Sequence, residues 1–514
     1  MPDRNDDPQI DVSARYRELL ELDPSHPLLQ YDHRWFTVGQ LRSWVEQLES
    51  ILVAAGIGAG APVGLVTRNR PLQVAAIVAT LGSERCFVPI TSIQSDNGVA
   101  ADVEKLEVPV LVADEEDWQR EQLLERCAKA GVLAIAVSAD GEGTVRVLEG
   151  SSTVGRPWEP RPGVAVLMPT SGTTGPPKRI TYTYDQVNGA LGRIAKYAAA
   201  TARSLTGPVT AQKGIVISIL ALAHIGGLWA VLQALAEGRA ITLLDRFEPL
   251  AWADLVEEHH ARLAALPPTT LRMVLDADIP PEKISSLLAV NCGTAPLDPD
   301  VSDAFTAKYG APVLTAYGAT EFPGGLVGWT IEDHREHWKA KRGAAGRARP
   351  GIKIRIVDPE TGEVLGPDQE GIVSVLSPQA TAPSATGDGW VRTNDIARMD
   401  ADGFLWVVGR ADDAIIRGGF KIVPQTVEAV LRDHPAVVDA AVTGIPDERL
   451  GQVPVAAVTA SEPVTPAELD AWVREHLAKY QVPVEIRVVD DLPRTTSLKV
   501  SKEGLRAMFT PATT

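Results

Sequence analysis

Apolar and polar positions along this chain alternate between two periods. Residues 38–55 carry apolar side chains at helical spacing and stop at Gly56, which predicts a helix with a glycine end. Residues 63–66 form an apolar run of strand length, 72–81 a run long enough for a buried helix, and 87–90 another strand. These signals alternate to about Gly318, the rhythm of doubly wound α/β sheets. From 352 to 408 short strands, such as 352–357 and 371–376, sit between Pro/Gly turns, which predicts an all-β subdomain. Past Gly409 and Arg410 the mixture returns, with 427–431 helical and 437–442 a strand. The expected architecture is α/β. Residues 1–411 form a large N-terminal domain of two doubly wound sheets plus a β-barrel-like subdomain, and 412–514 a small, mobile α+β C-terminal domain.

One stretch, 214–236, has no formal charge and enough length to cross a membrane, but His224, Gly226 and Gly227 interrupt its middle. It reads as a buried strand over 214–220, a turn at His224 and a helix over 228–235. Gly56, Gly58 and Gly60 imitate a dinucleotide fingerprint, yet follow a helix and precede a strand, so they read as a helix stop. Glu258-His259-His260 and the pair His334 and His337 lack metal-ligand spacing and read as solvated polar faces.

The length of 514 residues exceeds one core and calls for two or more domains. A net charge of -17 opposes binding to nucleic acid or to anionic membranes. Any polyanionic ligand therefore needs a local site rich in cations or N–H groups. Cys86, Cys127 and Cys292 show neither metal nor disulfide spacing, which fits a reducing, cytoplasmic compartment, and the polar, acidic N-terminus is no signal peptide.

Residues 168–178 read Met-Pro-Thr-Ser-Gly-Thr-Thr-Gly-Pro-Pro-Lys, directly after an apolar run over 164–168. Glycines allow positive φ and close backbone approach, and successive N–H groups then form an anion-binding concavity. Thr170, Ser171, Thr173 and Thr174 add hydroxyls, Gly172 and Gly175 the freedom, and Lys178 a point charge. A P-loop is excluded, because Pro177 precedes Lys178 and Arg179 follows it.

The run matches the phosphate loop T-S-G-T-T-G-x-P-K, and through it the chain resembles the adenylate-forming superfamily of acyl-CoA synthetases, peptide-synthetase adenylation domains and luciferases. Further resemblances follow in chain order. Gly293, Thr294, Ala295 and Pro296 resemble the turn that curls round adenine. Tyr317-Gly318-Ala319-Thr320-Glu321 resembles Y-G-x-T-E. This implies that Tyr317 stacks on adenine, Thr320 touches the α-phosphate and Glu321 holds Mg²⁺. Asp395 stands where the family grips the ribose, with Asn394 replacing the usual glycine, a residue that tolerates left-handed backbone. Arg410 would contact ribose and Asp412 would be the hinge. Gly418, Gly419, Phe420 and Lys421 resemble the loop along the pantetheine path, the two glycines also fitting a hairpin turn. Lys499 resembles the mobile catalytic lysine, with Leu498 in place of a glycine. His224 and Gly227 resemble the segment beside the acyl pocket, which Ala319, Phe322, Gly324 and Gly325 would complete.

The resemblance implies an acid–thiol ligase with ATP and coenzyme A as co-substrates and Mg²⁺ as cofactor. Two glycines fill no space, and no Lys or Arg lies in these stretches, so the expected acid is a bulky apolar monocarboxylate: aromatic, polycyclic or terpenoid. A carrier-protein phosphopantetheine arm is the alternative acceptor, and a nucleotide-binding protein without catalysis the alternative from another class. The sequence leaves monomer or homodimer open.

Overall fold

The computed structural model describes residues 8, 10–139, 143–152, 156–169, 179–195, 199–381, 387–495 and 499–509. The predicted apolar runs become the middle of a seven-stranded sheet. Its order is Thr144–Val147, Leu133–Ser138, Val110–Asp114, Pro62–Thr67, Cys86–Thr91, Val164–Pro169 and Arg179–Thr183. The inner strands run parallel and the two edge strands antiparallel. Every residue of Pro62–Thr67 is buried, as expected of a parallel strand covered on both faces. The helix Pro71–Gly82 is buried along its whole length, which suits a sequence apolar all round. The helix Val38–Ala54 starts where Thr37 and Gln40 form a reciprocal capping box.

Beside this layer lies a four-stranded sheet in the order Gln212–Ser218, Arg239–Leu243, Pro27–Tyr31 and Arg34–Thr37. A five-stranded sheet follows, ordered Leu263–Ala265, Ala289–Cys292, Val313–Tyr317, Val327–Gly328 and Arg347–Ala348. The all-β stretch is an antiparallel meander of Lys353–Val357, Gly371–Leu376, Trp390–Met399 and Leu405–Arg410. The small C-terminal domain pairs the long strands Val437–Asp447 and Gly451–Ala460, adds short strands on their flanks, and carries the helices Pro424–Arg432, Pro466–His476 and Lys502–Phe509. Gly409 sits where the two domains meet. A Cβ there would lie 2.5 Å from Gln425 Oε1 and 2.7 Å from Val423 Cγ1, so glycine is what lets the meander approach the first C-terminal helix.

The uncharged stretch resolves into the strand Gln212–Ser218, a turn, and the helix Ile225–Glu237. Among the described residues no helix is long and apolar enough to cross a membrane. Two expectations are corrected. His334 is no solvated face: it is buried and stacks on Trp338 at 4.8 Å. His259 makes a 2.6 Å hydrogen bond with Gln30 and an edge contact with Trp35. His259 is drawn inward by residues distant in sequence, and His334 by Trp338 four residues further along.

Candidate active site

Strand ends of the large domain and one hairpin of the small domain converge on a common region. Asp395, only 8% exposed, lies within the strand Trp390–Met399. Asn394 shares that strand and has no positive φ, so the left-handed turn expected at this position does not form. The strand pairs Asp395 with Arg410 and holds Asn394 in extended backbone, which needs no glycine. The Tyr317 hydroxyl donates to Asp395 Oδ2 at 2.6 Å, and Arg410 Nη1 lies 3.6 Å from Oδ1. Burial raises the Asp395 carboxyl above its usual range; the Tyr317 hydrogen bond and the Arg410 charge oppose that shift. Arg410 also donates from Nε and Nη2 to the two oxygens of Asp412, at 2.8 and 2.7 Å. This bidentate pair holds its guanidinium firmly charged.

Lys499 reaches the same region from near the C-terminus. Burial lowers its pKa, the Arg410 charge lowers it further, and Asp395 pulls the other way. His224 caps the helix Ile225–Glu237: its Nδ1 accepts from the Gly226 N–H at 3.1 Å. Burial, and secondarily the charge of Lys499, push its pKa down to about 4. The imidazole is therefore neutral, and with Nδ1 an acceptor the proton sits on Nε2.

The turn after Ala289–Cys292 holds Thr294 at φ 74, a left-handed conformation that costs a β-branched residue strain. Its Oγ1 is buried without a hydrogen-bond partner among the described residues. Gly293 lets this turn approach Ala316, whose oxygen would lie 3.2 Å from a Cβ. The segment of Thr320 and Glu321 is fixed through its carbonyls. Tyr182 donates to Thr320 O, and Thr381 donates to Glu321 O from its N–H at 2.9 Å and its hydroxyl at 3.1 Å. Sequence reasoning missed Tyr182 and Thr381, because no local pattern connects residues 60 and 138 positions apart.

Several expected pocket residues also serve the fold itself. Phe322 is buried in the core of the antiparallel meander, with Leu326 and Val327. A Cβ on Gly227 would run into the carbonyls of Leu220 and Ala221, so this glycine serves close backbone packing. Gly324 and Gly325 take φ 87 and 75 and are required by the turn itself. The space beside Gly324 is lined by Ala190, Arg193 and Trp229, and Gly325 faces Arg349. The expectation of a region without Lys or Arg is thus corrected: tertiary packing brings in two arginines, Arg193 being 4% exposed. Of the phosphate run, Thr170, Ser171, Gly172, Thr173, Thr174, Gly175 and Lys178 lie outside the described residues. The strands on either side pair with one another, Pro169 opposite Arg179. Arg179 turns into the sheet and donates to Pro89 O and Leu167 O.

Residues 17–382 match the AMP-binding enzyme family, and residues 426–499 match the AMP-binding enzyme C-terminal domain. The chain belongs to the AMP-binding enzymes. It is 28% identical to 4-coumarate–CoA ligase 3 of Oryza sativa subsp. japonica over 490 residues, covering 92% of this chain and 87% of that protein. It is 33% identical to the 2-succinylbenzoate–CoA ligase of Bacillus subtilis (strain 168) over 352 residues, 66% of this chain and 68% of that protein. The o-succinylbenzoate CoA synthetase of Bacillus subtilis, solved with its acyl-adenylate intermediate, superposes with a TM-score of 0.75 at 25% identity, over 97% of this chain and 98% of that one.

In this AMP-binding enzyme, Gly418 and Gly419 form the positive-φ turn between Ile415–Arg417 and Phe420–Ile422, the hairpin reading of these glycines. Phe420, though exposed, stacks on Tyr480 at 4.8 Å. Among the described residues no three carboxylate, imidazole or thiol groups gather into a metal cage. Glu321 beside the nucleotide motif suits Mg²⁺, an ion that keeps waters and takes one or two carboxylates together with phosphate oxygens.

Proposed function

We propose that this chain is an AMP-forming acid–CoA ligase. It activates a carboxylic acid with ATP, releases pyrophosphate, and passes the acyl group to coenzyme A. The observation that carries this reading is the cluster in which Tyr317 donates to Asp395 and Arg410 lies 3.6 Å from it, with Lys499 near enough to act on the charges of Asp395 and His224. In the first half, a carboxylate oxygen attacks the α-phosphorus and the bond to pyrophosphate breaks. Two anions must meet, so cationic and N–H groups must face them as charge develops. Lys499, Lys178 and the amides around residues 170–175 fill that role. Arriving anions raise the Lys499 pKa back toward the ammonium that bridges carboxylate and α-phosphate. Mg²⁺ held by Glu321 would neutralise phosphate charge. Asp395, oriented by Tyr317, accepts from the ribose hydroxyls, and Thr294 Oγ1 meets the adenine edge.

In the second half the thiol sulfur attacks the acyl carbon, the C–O bond to AMP breaks, and the thiol proton passes to solvent. His224, with a pKa of about 4, is too weak a base to take that proton at neutral pH, so it shapes the approach of the thiol. The small domain turns about Asp412 between halves, which carries Lys499 out and brings Gly418, Gly419, Phe420 and Lys421 toward the thiol path. For the acid we propose an aromatic carboxylate. Two relatives act, by name, on aryl acids, and the Trp229 ring offers a flat surface beside Gly324.

An acid panel with ATP, Mg²⁺ and coenzyme A tests this, with pyrophosphate release and acyl-CoA mass read separately. Aryl acids should support both. Lys499→Ala should lower acid-dependent pyrophosphate release by about 10²–10³-fold and leave thioester formation from supplied acyl-adenylate intact. Nucleotide binding with no acid-dependent release would favour a protein without catalysis. A product formed only on a carrier arm would move the acceptor, and strong preference for acetate or an α-amino acid would overturn the substrate class.

A further inference from the structure

The hairpin that carries Lys499 is held from two sides. Thr495 N donates to Lys499 O at 2.7 Å, Ser501 N to Pro493 O at 2.7 Å, and Arg494 bridges Val500. At its far end Lys502 Nζ donates to Val442 O at 3.2 Å and lies 4.0 Å from both Asp413 and Glu428, so the hairpin is tied to the small domain's own sheet. The other tie crosses between domains. Arg494 Nη2 donates to Asp439 at 2.9 Å within the small domain, while Nη1 donates to Thr269 Oγ1 of the large domain at 3.2 Å. One turn further along the same helix, Pro268–Asp276, Arg272 donates to the carbonyl of Val438. Thr269 and Arg272 share a helix face, because residues three apart are neighbours there. That helix also connects Leu263–Ala265 to Ala289–Cys292, the strand whose end forms the Thr294 turn.

We propose that Thr269 and Arg272 are positioning residues: they form a latch that docks the small domain with Lys499 inside the site. The proposal rests on the two-half reading above. Among the described residues, these two bonds are received by a hydroxyl and a main-chain carbonyl. Such neutral acceptors give bonds weak enough to break once per turnover, each shifting the balance of two arrangements by on the order of a few-fold to tenfold. Because Thr269 and Arg272 reach Arg494 and the Val438 carbonyl rather than Lys499 itself, they act on Lys499 through the docking of its hairpin.

The latch can be tested apart from the chemistry. Spin labels at Glu282→Cys in the large domain and Glu475→Cys in the small one report the inter-domain distance in the full-length protein with AMP present. Thr269→Val and Arg272→Ala, made singly, should each lower the population of the docked distance about threefold or more, and Arg272→Lys, which can still donate, should restore it. Unchanged distance distributions in both single variants would overturn the proposal. In kinetic terms, each variant should slow acid-dependent ATP–pyrophosphate exchange several-fold and spare thioester formation from supplied acyl-adenylate. Equal loss in both half-reactions would mark a general structural role instead. If wild type shows no exchange with any acid, the proposed reaction fails, while the distance measurement still decides the latch.

Discussion

His224 shows how one residue serves both a helix and a site. Its Nδ1 satisfies an orphan N–H at the start of the helix Ile225–Glu237, and its burial beside Lys499 makes the charged imidazole costly. The direction of the linkage follows. The unfolded chain takes a proton near pH 6.5 and the folded chain only near pH 4, so between these values unfolding takes up a proton. The stability due to neutral His224 is complete above about pH 6.5, declines as pH falls toward 4, and is lost below that. The difference amounts to on the order of 3 kcal/mol. Denaturant midpoints measured from pH 4 to 7.5 should therefore fall more steeply in wild type than in His224→Gln, whose amide can still cap the helix but does not titrate. Parallel profiles would show that the ring is not held neutral by the fold. Activity between pH 6.5 and 8 should show no inflection from this imidazole.

Among the elements, the segment Arg68-Asn-Arg-Pro71 does more than begin a helix. Asn69, 3% exposed, donates to the carbonyls of Leu220 and Leu244 at 3.1 and 2.9 Å and accepts from the N–H of Leu222 at 3.3 Å. Arg70 meets Asp114, Glu116 and Asp245. The end of the strand Pro62–Thr67 is thereby stapled to the end of the strand Arg239–Leu243 and to the turn that leads from Gln212–Ser218 into His224. Asn69→Ala leaves three buried backbone groups short of a partner, which should cost about 2–4 kcal/mol in urea unfolding. A loss under 1 kcal/mol would mean that water replaces the amide. The elements themselves were legible, since a strand buried on both faces is written as an uninterrupted apolar run, and Pro62–Thr67, Cys86–Thr91 and Pro71–Gly82 fall where the pattern puts them. What was not legible depends on pairing across the fold. Glycines 324 and 325 read as empty space until their positive φ and the approach of Arg193, Trp229 and Arg349 gave them another reason. Tyr182 and Thr381 carry no motif because they act on main-chain carbonyls, which any sequence supplies. His334 read as a surface residue because its stacking partner Trp338 is a matter of helix facing.

For the whole molecule, the decisive question is whether one chain visits two arrangements through one joint. In the arrangement described, Asp412 is clasped by Arg410 and lies 3.4 Å from Asn394 Nδ2, and the Ala411 N–H donates to Asn394 O at 2.7 Å. The residues just before 412 thus belong to the meander, while Asp413 already lies near Lys502 of the small domain. The proposed rotation between the two bodies would take its torsional freedom at this point. Proline at 412 fixes φ near −65° and confines Ala411 to extended backbone. Since Lys499 is already in the site here, a joint locked near this geometry should keep acid-dependent pyrophosphate exchange within about tenfold of wild type and lower thioester formation by about 10²-fold or more. Asp412→Pro also deletes the carboxylate that clasps Arg410, so Asp412→Ala is the needed comparison: it removes the same charge and leaves the torsions free. If the joint matters as a joint, the alanine variant loses both half-reactions to similar, modest degrees and the proline variant loses the second alone. Equal losses in the proline variant, or an alanine variant with the same imbalance, would assign Asp412 to the electrostatics of Arg410 and leave the rotation without its pivot.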